Sequence, residues 1–123
     1  ISLQAKWFEA HAAYTVSKFS MSMVAFGLAA ELRTKGIAVN SLWPRTLIAT
    51  SALNIAGSQL GTLGRTPEIM ADAAYQILTR SSREATGQFY LDEQVLRDAG
   101  MTDFDRYLVT PGSTPMIDLY VEP

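Results

Sequence analysis

The sequence predicts an α/β fold from three observations. A long apolar helix over residues 11–34 is followed by Gly36. A short apolar strand over residues 37–43 comes next, and a second one, over residues 87–92, lies further along the chain. Helices that alternate with short buried strands are typical of proteins built on a mostly parallel sheet.

The first ten residues read as the end of a strand, or a loop, that leads into the long helix. In that helix apolar side chains recur at spacings of three and four, as in Phe19, Met23 and Phe26. Few charges interrupt it before Glu31, so we expect it to be covered on more than one side. Gly36 is a typical C-terminal stop.

The remaining segments are shorter. Residues 51–64 hold three glycines and few charges, which indicates a mobile, partly helical flap. A Thr-Pro-Glu sequence beginning at Thr66 then opens a helix that we predict to end near Arg80. A short helix over residues 95–100 follows the second strand. We expect the tail, residues 103–123, to be extended and to pack on the body or on another subunit.

The composition excludes several classes of protein. The chain has 123 residues, the size of one domain, and 48% of them are hydrophobic, enough to bury a core. A net charge of −2 without long runs of either sign argues against a nucleic-acid footprint. With no cysteine and His11 as the only histidine, a thiolate zinc site and a multi-histidine metal site are excluded. No apolar run is long enough to predict a membrane span.

Tyr14 and Lys18 are the strongest candidates for chemistry. A spacing of four puts both side chains on one face of a helix, one turn apart. A tyrosine ordinarily titrates near pH ~10, and a positive charge within about 4–6 Å favours the phenolate. The pair could therefore act as an acid–base device, although the spacing taken alone favours a surface tyrosine beside a solvated lysine.

Other polar groups are candidates by position. Ser2 and Ser17 offer hydroxyls near the pair, although most serines are surface or capping residues. Residues 44–50 follow the first predicted strand, and ligands of α/β sheets bind beyond the carboxyl ends of strands. The polar groups of this segment are suited to an amide or a phosphate, while an ordinary loop is the alternative.

Three motifs, taken in order, resemble a known family. They are Tyr14-x-x-x-Lys18, Asn40-x-x-x-Pro44 and Ile48-x-Thr50. Together they resemble the second half of a short-chain dehydrogenase/reductase. The stretches YTVSK, MSMVAFGLAAEL, IAVNSLWPRTLIAT, RTPEIMADAAY and GQFYLDEQVL are similar to its hydroxysteroid dehydrogenase-like subgroup. The resemblance covers nearly the whole chain.

The resemblance implies a Rossmann-like, doubly wound parallel sheet. Residues 1–123 would be the C-terminal half of a single domain of this kind. The N-terminal half, with the glycine-rich turn that holds a dinucleotide, is absent from this sequence. Because two apolar strands alone would be poorly covered, we expect the chain to be part of a longer polypeptide.

The resemblance also implies catalytic roles. Tyr14 would be the general acid or base at the carbonyl or alcohol oxygen. Lys18 would hold the ribose hydroxyls of the nicotinamide cofactor and lower the pKa of Tyr14. Ser2 would orient the substrate, although the approach from Ser2 to Trp7 is shorter than in the subgroup.

The cofactor would be NADP or NAD, with NADP favoured by the resemblance. Pro44 would lie against the nicotinamide. The backbone of Ile48 and the hydroxyl of Thr50 would hold its carboxamide. Arg45 stands where most of the family has glycine, and the loop that contains it is one residue longer than the common pattern.

The sequence thus predicts an NAD(P)-dependent oxidoreductase that interconverts a carbonyl and an alcohol. Its partners would be a small, apolar substrate and further copies of itself, as a homodimer or homotetramer, with no nucleic acid. The C-terminus is not a peroxisomal Ser-Lys-Leu signal, and we expect a cytoplasmic protein. A non-catalytic binding or structural module, or an inactive fragment, is the alternative.

Overall fold

The computed structural model describes residues 4–56 and 60–122. Two short strands, β1 (Ser41–Trp43) and β2 (Phe89–Leu91), pair in parallel, with Leu42 opposite Tyr90. The helices are α1 (Ala12–Leu32), α2 (Ser51–Ala56), α3 (Glu68–Leu78) and α4 (Asp92–Asp98). The predicted α/β class with a parallel sheet is confirmed. Three residues of the predicted flap, 57–59, lie outside the described residues.

Helices cover the two-stranded sheet on both faces. Trp43 points toward α1, where its indole Nε1 donates a hydrogen bond to Ser22 Oγ over 3.0 Å. The neighbouring Leu42 packs against the cluster that contains Ile69 of α3. Because successive side chains of a strand point to opposite faces, α1 and α3 lie on opposite sides of the sheet. This is the doubly wound arrangement that the sequence predicts.

The main core lies between α3, α4 and the segment that follows them. These helices meet through buried apolar side chains, and aromatic rings from the chain beyond α4 complete the cluster. Its fully buried members are Ile69, Ala73, Val95, Leu96, Phe104 and Tyr107.

Helix α1 is covered along one stripe only in the part of the chain that the structure describes. Its buried residues, Thr15, Ser22 and Ala29, are spaced by seven and so face the same side. Many of its remaining apolar side chains are exposed, among them Val16, Met21, Met23, Val24, Phe26 and Leu28. The helix ends, as predicted, near Gly36, which adopts the left-handed conformation with φ of 71°.

Several element boundaries differ from the predictions. The first strand begins only at Ser41, because the preceding backbone bonds to a loop instead of a strand ladder, as when Val39 N–H donates to the hydroxyl of Thr86. The last helix begins at Asp92 and not at residue 95. The Asp92 carboxylate accepts the N–H of Glu93 over 2.6 Å and so satisfies a free donor of the first turn.

Candidate active site

A cavity of about 380 Å³ lies beside α1 at the carboxyl end of β1. Tyr14 and Lys18 line it from α1, and Pro44 lines it from the end of the strand. Asp118 and Tyr120 close it from the C-terminal tail. The structure therefore brings three of the sequence-predicted site residues to one cavity, at the edge of the sheet where α/β proteins bind ligands.

Tyr14 and Lys18 are adjacent, as their spacing predicts. The Lys18 ammonium lies 5.4 Å from the centroid of the Tyr14 ring, and the phenol is 51% exposed. Partial burial and the negative charge of Asp118 raise the pKa of Tyr14 above its ordinary value. The lowering of this pKa by Lys18 that the resemblance implies stays a prediction.

Of the two predicted hydroxyls, only Ser17 lies in the described part of the chain. Its hydroxyl donates to the carbonyl of Tyr14 over 2.7 Å, within the same helix. The Ser17 hydroxyl thus bonds to the backbone of its own helix, as is common for serines in helices. Ser2 lies outside the described residues, so its role as the substrate-orienting hydroxyl stays a prediction.

The loop after β1 runs from the cavity wall toward the core. Pro44 lines the cavity, whereas the side chain of Ile48 packs against the core cluster and Thr50 is exposed. Neither Ile48 nor Thr50 is among the residues that line the cavity. The carboxamide contacts predicted for these two residues stay predictions.

Backbone hydrogen bonds fix this loop on two sides. Leu47 N–H donates to Met116 O over 2.9 Å, which ties the loop to the tail. Ala49 N–H donates to Arg65 O, and Arg65 N–H donates to Leu47 O, both over 2.8 Å. The loop therefore lies between the C-terminal tail and the segment that precedes α3.

A largely buried network of ion pairs around Glu93 lies next to this loop. The Glu93 carboxylate accepts hydrogen bonds from Arg65 over 2.5 Å and from Arg97 over 2.8 Å. The Nε atom of Arg45 lies 3.7 Å from Oε1 of the same carboxylate. Burial by itself would raise the pKa of Glu93, but the hydrogen bonds and charges of Arg65 and Arg97 outweigh it and hold the pKa below its ordinary value. Arg65 thus links this carboxylate to the backbone of the loop.

Asp118 and Tyr120 are cavity residues that were not among the sequence-predicted site residues. Tyr120 is buried, and its hydroxyl lies 3.1 Å from that of Thr15 in α1. Its ring meets three others edge-on, those of Trp7, Phe19 and Trp43. The sequence does contain one clue to Asp118, which is the lone carboxylate in the otherwise apolar segment 116–121.

Gly64 lies against the backbone of the loop after β1. A Cβ at this position would lie 2.6 Å from the carbonyl oxygen of Leu47, closer than such atoms approach. We expect Gly64→Ala to lower the free energy of unfolding by about 1–3 kcal/mol, because the loop backbone must move. Chemical denaturation of the complete protein measures it, with Gly61→Ala as the control, since a Cβ there meets nothing within 4 Å. Equal stability of the two variants would contradict this account.

In the part of the chain that the structure describes, no helix is both long enough and apolar enough to cross a membrane.

The parallel sheet with helices on both faces, and a cavity at the carboxyl end of β1, define an α/β type of ligand site. Comparison with solved structures agrees. A protein of Xanthomonas campestris assigned as a dehydrogenase superposes with a TM-score of 0.92 and 47% identity, over 99% of this chain and 45% of that one. A short chain dehydrogenase of Mycobacterium thermoresistibile gives 0.85 and 43%, over 99% and 44%. In sequence and in fold, the chain is similar over nearly its whole length to short-chain dehydrogenases.

Curated relatives name the subgroup. The chain is 45% identical over 123 residues to hydroxysteroid dehydrogenase-like protein 2 of Danio rerio, and 38% identical to that of Homo sapiens. Each match covers 99% of this chain but only 29% of the relative's length. No family model matches the chain. The resemblance predicted from the motifs is confirmed.

Proposed function

We propose that this chain forms the catalytic part of an NAD(P)-dependent oxidoreductase that interconverts a carbonyl and an alcohol. The observation that carries this proposal is the placement of Tyr14 beside Lys18 on one wall of the cavity, with Pro44 at the end of the neighbouring strand. The dehydrogenase names of its relatives support the general class of reaction.

The residues of the cavity fit the nicotinamide end of such a cofactor. The Lys18 ammonium has three N–H donors and makes no ion pair with any other described side chain, so its donors are available to ribose hydroxyls. Pro44 offers an apolar surface at the carboxyl end of β1. The bound cofactor supplies or accepts the hydride. NADP is favoured over NAD by the subgroup resemblance alone.

Tyr14 moves the proton in this proposal. During reduction its hydroxyl donates a proton to the carbonyl oxygen of the substrate, and during oxidation the phenolate takes the proton back. Lys18 stabilises the phenolate once it forms, because an ammonium near a developing negative charge lowers the free energy of that state.

The nucleotide-binding half is proposed to come from sequence that precedes residue 1. The two solved proteins that match are about twice as long as this chain, since it covers 45% and 44% of them. An intact mass near 13.5 kDa for the purified protein would overturn this proposal, whereas a mass of about twice that value would support it.

Two further features extend the proposal. The exposed apolar side chains of α1 favour a covering surface from another part of the protein or from a second copy. A homodimer or homotetramer stays a prediction on this ground, as does a cytoplasmic location. An apolar substrate is favoured by Met21, Leu42 and Leu119, which line the cavity.

Lys18→Met in the complete protein tests the cofactor contact. We expect weaker NADPH binding together with slower turnover, because the variant removes the donors proposed for the ribose. A loss of about tenfold or more in affinity, roughly 1.4 kcal/mol, is expected for a charged hydrogen-bonding group. Quenching or enhancement of NADPH fluorescence measures the dissociation constant. Lys35→Met is the matched control, since Lys35 is exposed at the far end of the helix.

An unchanged dissociation constant in Lys18→Met would contradict the ribose contact. If the complete wild-type protein does not alter NADPH fluorescence at all, the alternative of a non-catalytic module gains support and the oxidoreductase proposal fails.

A further inference from the structure

The C-terminal tail brings a carboxylate to the cavity that holds Tyr14 and Lys18. Asp118 lies about a hundred residues from that pair in sequence, yet it lines the same cavity and is partly buried there. It forms no ion pair within 4 Å among the described side chains. A carboxylate at this place changes the charge balance of the proposed acid–base pair.

The position of Asp118 is fixed by its neighbours in the tail. Its own N–H donates to Arg45 O over 3.0 Å, and Ile117 forms an antiparallel bridge with Thr46. Two residues on, Tyr120 is buried in the aromatic cluster against α1. The tail is therefore held both before and after Asp118, which keeps the carboxylate at the cavity.

The charges around Asp118 come from three elements. Tyr14 and Lys18 face it from α1, and Asp92 faces it from the start of α4. Its carboxylate also accepts the N–H of Leu119 over 2.7 Å. Burial and the like charge of Asp92 raise the pKa of Asp118, and the Leu119 N–H and the charge of Lys18 oppose that rise.

We propose that Asp118 is a positioning residue for the catalytic pair: its carboxylate, held in the same cavity, attracts the Lys18 ammonium and repels negative charge on the Tyr14 oxygen. The role beside a catalytic pair rests on the proposed function, whereas the electrostatic coupling between Asp118 and the pair does not.

The ionisation of Tyr14 is measured directly by a pH titration of the complete protein labelled at tyrosine Cζ, followed by carbon NMR. The signal is assigned by its loss in Tyr14→Phe. We expect Asp118→Asn to shift the titration of Tyr14 to lower pH, because a carboxylate is replaced by a neutral amide of the same shape. Asp105→Asn, an identical change at an exposed position away from the cavity, leaves the titration unchanged.

A second measurement tests the same coupling through the titration of Asp118. In Lys18→Met the carboxyl of Asp118, labelled at Cγ, is expected to titrate at higher pH, since a stabilising positive charge is gone. An unchanged Tyr14 titration in a folded Asp118→Asn variant overturns the proposal. If that variant does not fold, an unchanged Asp118 titration in Lys18→Met overturns it. Neither readout needs turnover, so a failure of the proposed function is seen separately, as full activity of Tyr14→Phe.

Discussion

Replacement of Tyr14 by phenylalanine is expected to abolish turnover in the complete protein while cofactor affinity stays near that of the wild type. The substitution removes only the hydroxyl, the group proposed to exchange a proton with the substrate oxygen. Loss of a general acid or base commonly costs about 10²–10⁴ in rate. Steady-state kinetics with carbonyl substrates and NADPH measure the rate, and NADPH fluorescence measures binding.

The matched control is Tyr75→Phe, the same change on α3 at a phenol that is 66% exposed and away from the cavity. Its kinetics should match the wild type. Turnover of Tyr14→Phe within a few-fold of wild type would remove Tyr14 from the mechanism.

The pH dependence of the wild type follows from the same residue. Because the pKa of Tyr14 is raised, the protonated phenol persists to higher pH than in an ordinary tyrosine. In the proposed mechanism reduction needs this proton, so its rate should be maintained through neutral pH and decline as Tyr14 ionises. Oxidation, which needs the phenolate, should increase over that same pH range.

Glu93→Gln is expected to have the largest effect on stability. Glu93 is 8% exposed and joins Arg65, which is 7% exposed, to the more exposed Arg97. Removal of one partner from a buried ion pair leaves an uncompensated charge and costs about 3–5 kcal/mol. Urea denaturation of the complete protein measures this loss. Glu84→Gln, at an exposed glutamate, should change the free energy of unfolding by less than about 0.5 kcal/mol.

The contribution of Glu93 to the free energy of unfolding should decrease as the pH falls. Its pKa is lowered in the folded protein from an ordinary value of 4.5, so its ionised form stabilises the fold at pH values above 4.5. That contribution is lost as the pH falls below 4.5 and the folded carboxylate takes up its proton. The difference in stability between wild type and Glu93→Gln should therefore shrink in acid. A difference that stays constant from neutral pH into acid would contradict this assignment.

Much of the fold could be predicted because its signals are local. The three- and four-residue spacing in the long helix, the stop at Gly36 and the apolar segments that contain β1 and β2 each depend on neighbouring residues. Boundaries were less predictable. The strand over residues 37–43 is observed only from Ser41, because its backbone partner is decided by a loop near Thr86, far along the chain.

The proximity of Tyr14 and Lys18 follows from local sequence, since the pitch of a helix brings residues four apart to one face. The groups that face this pair depend on how distant segments pack. Asp118 reaches the cavity because the tail bonds to the loop after β1 and buries Tyr120 against α1. Contacts between segments about a hundred residues apart depend on how the whole chain packs, and no local periodicity encodes them. The charge around Tyr14 and Lys18 is therefore a property of the folded chain.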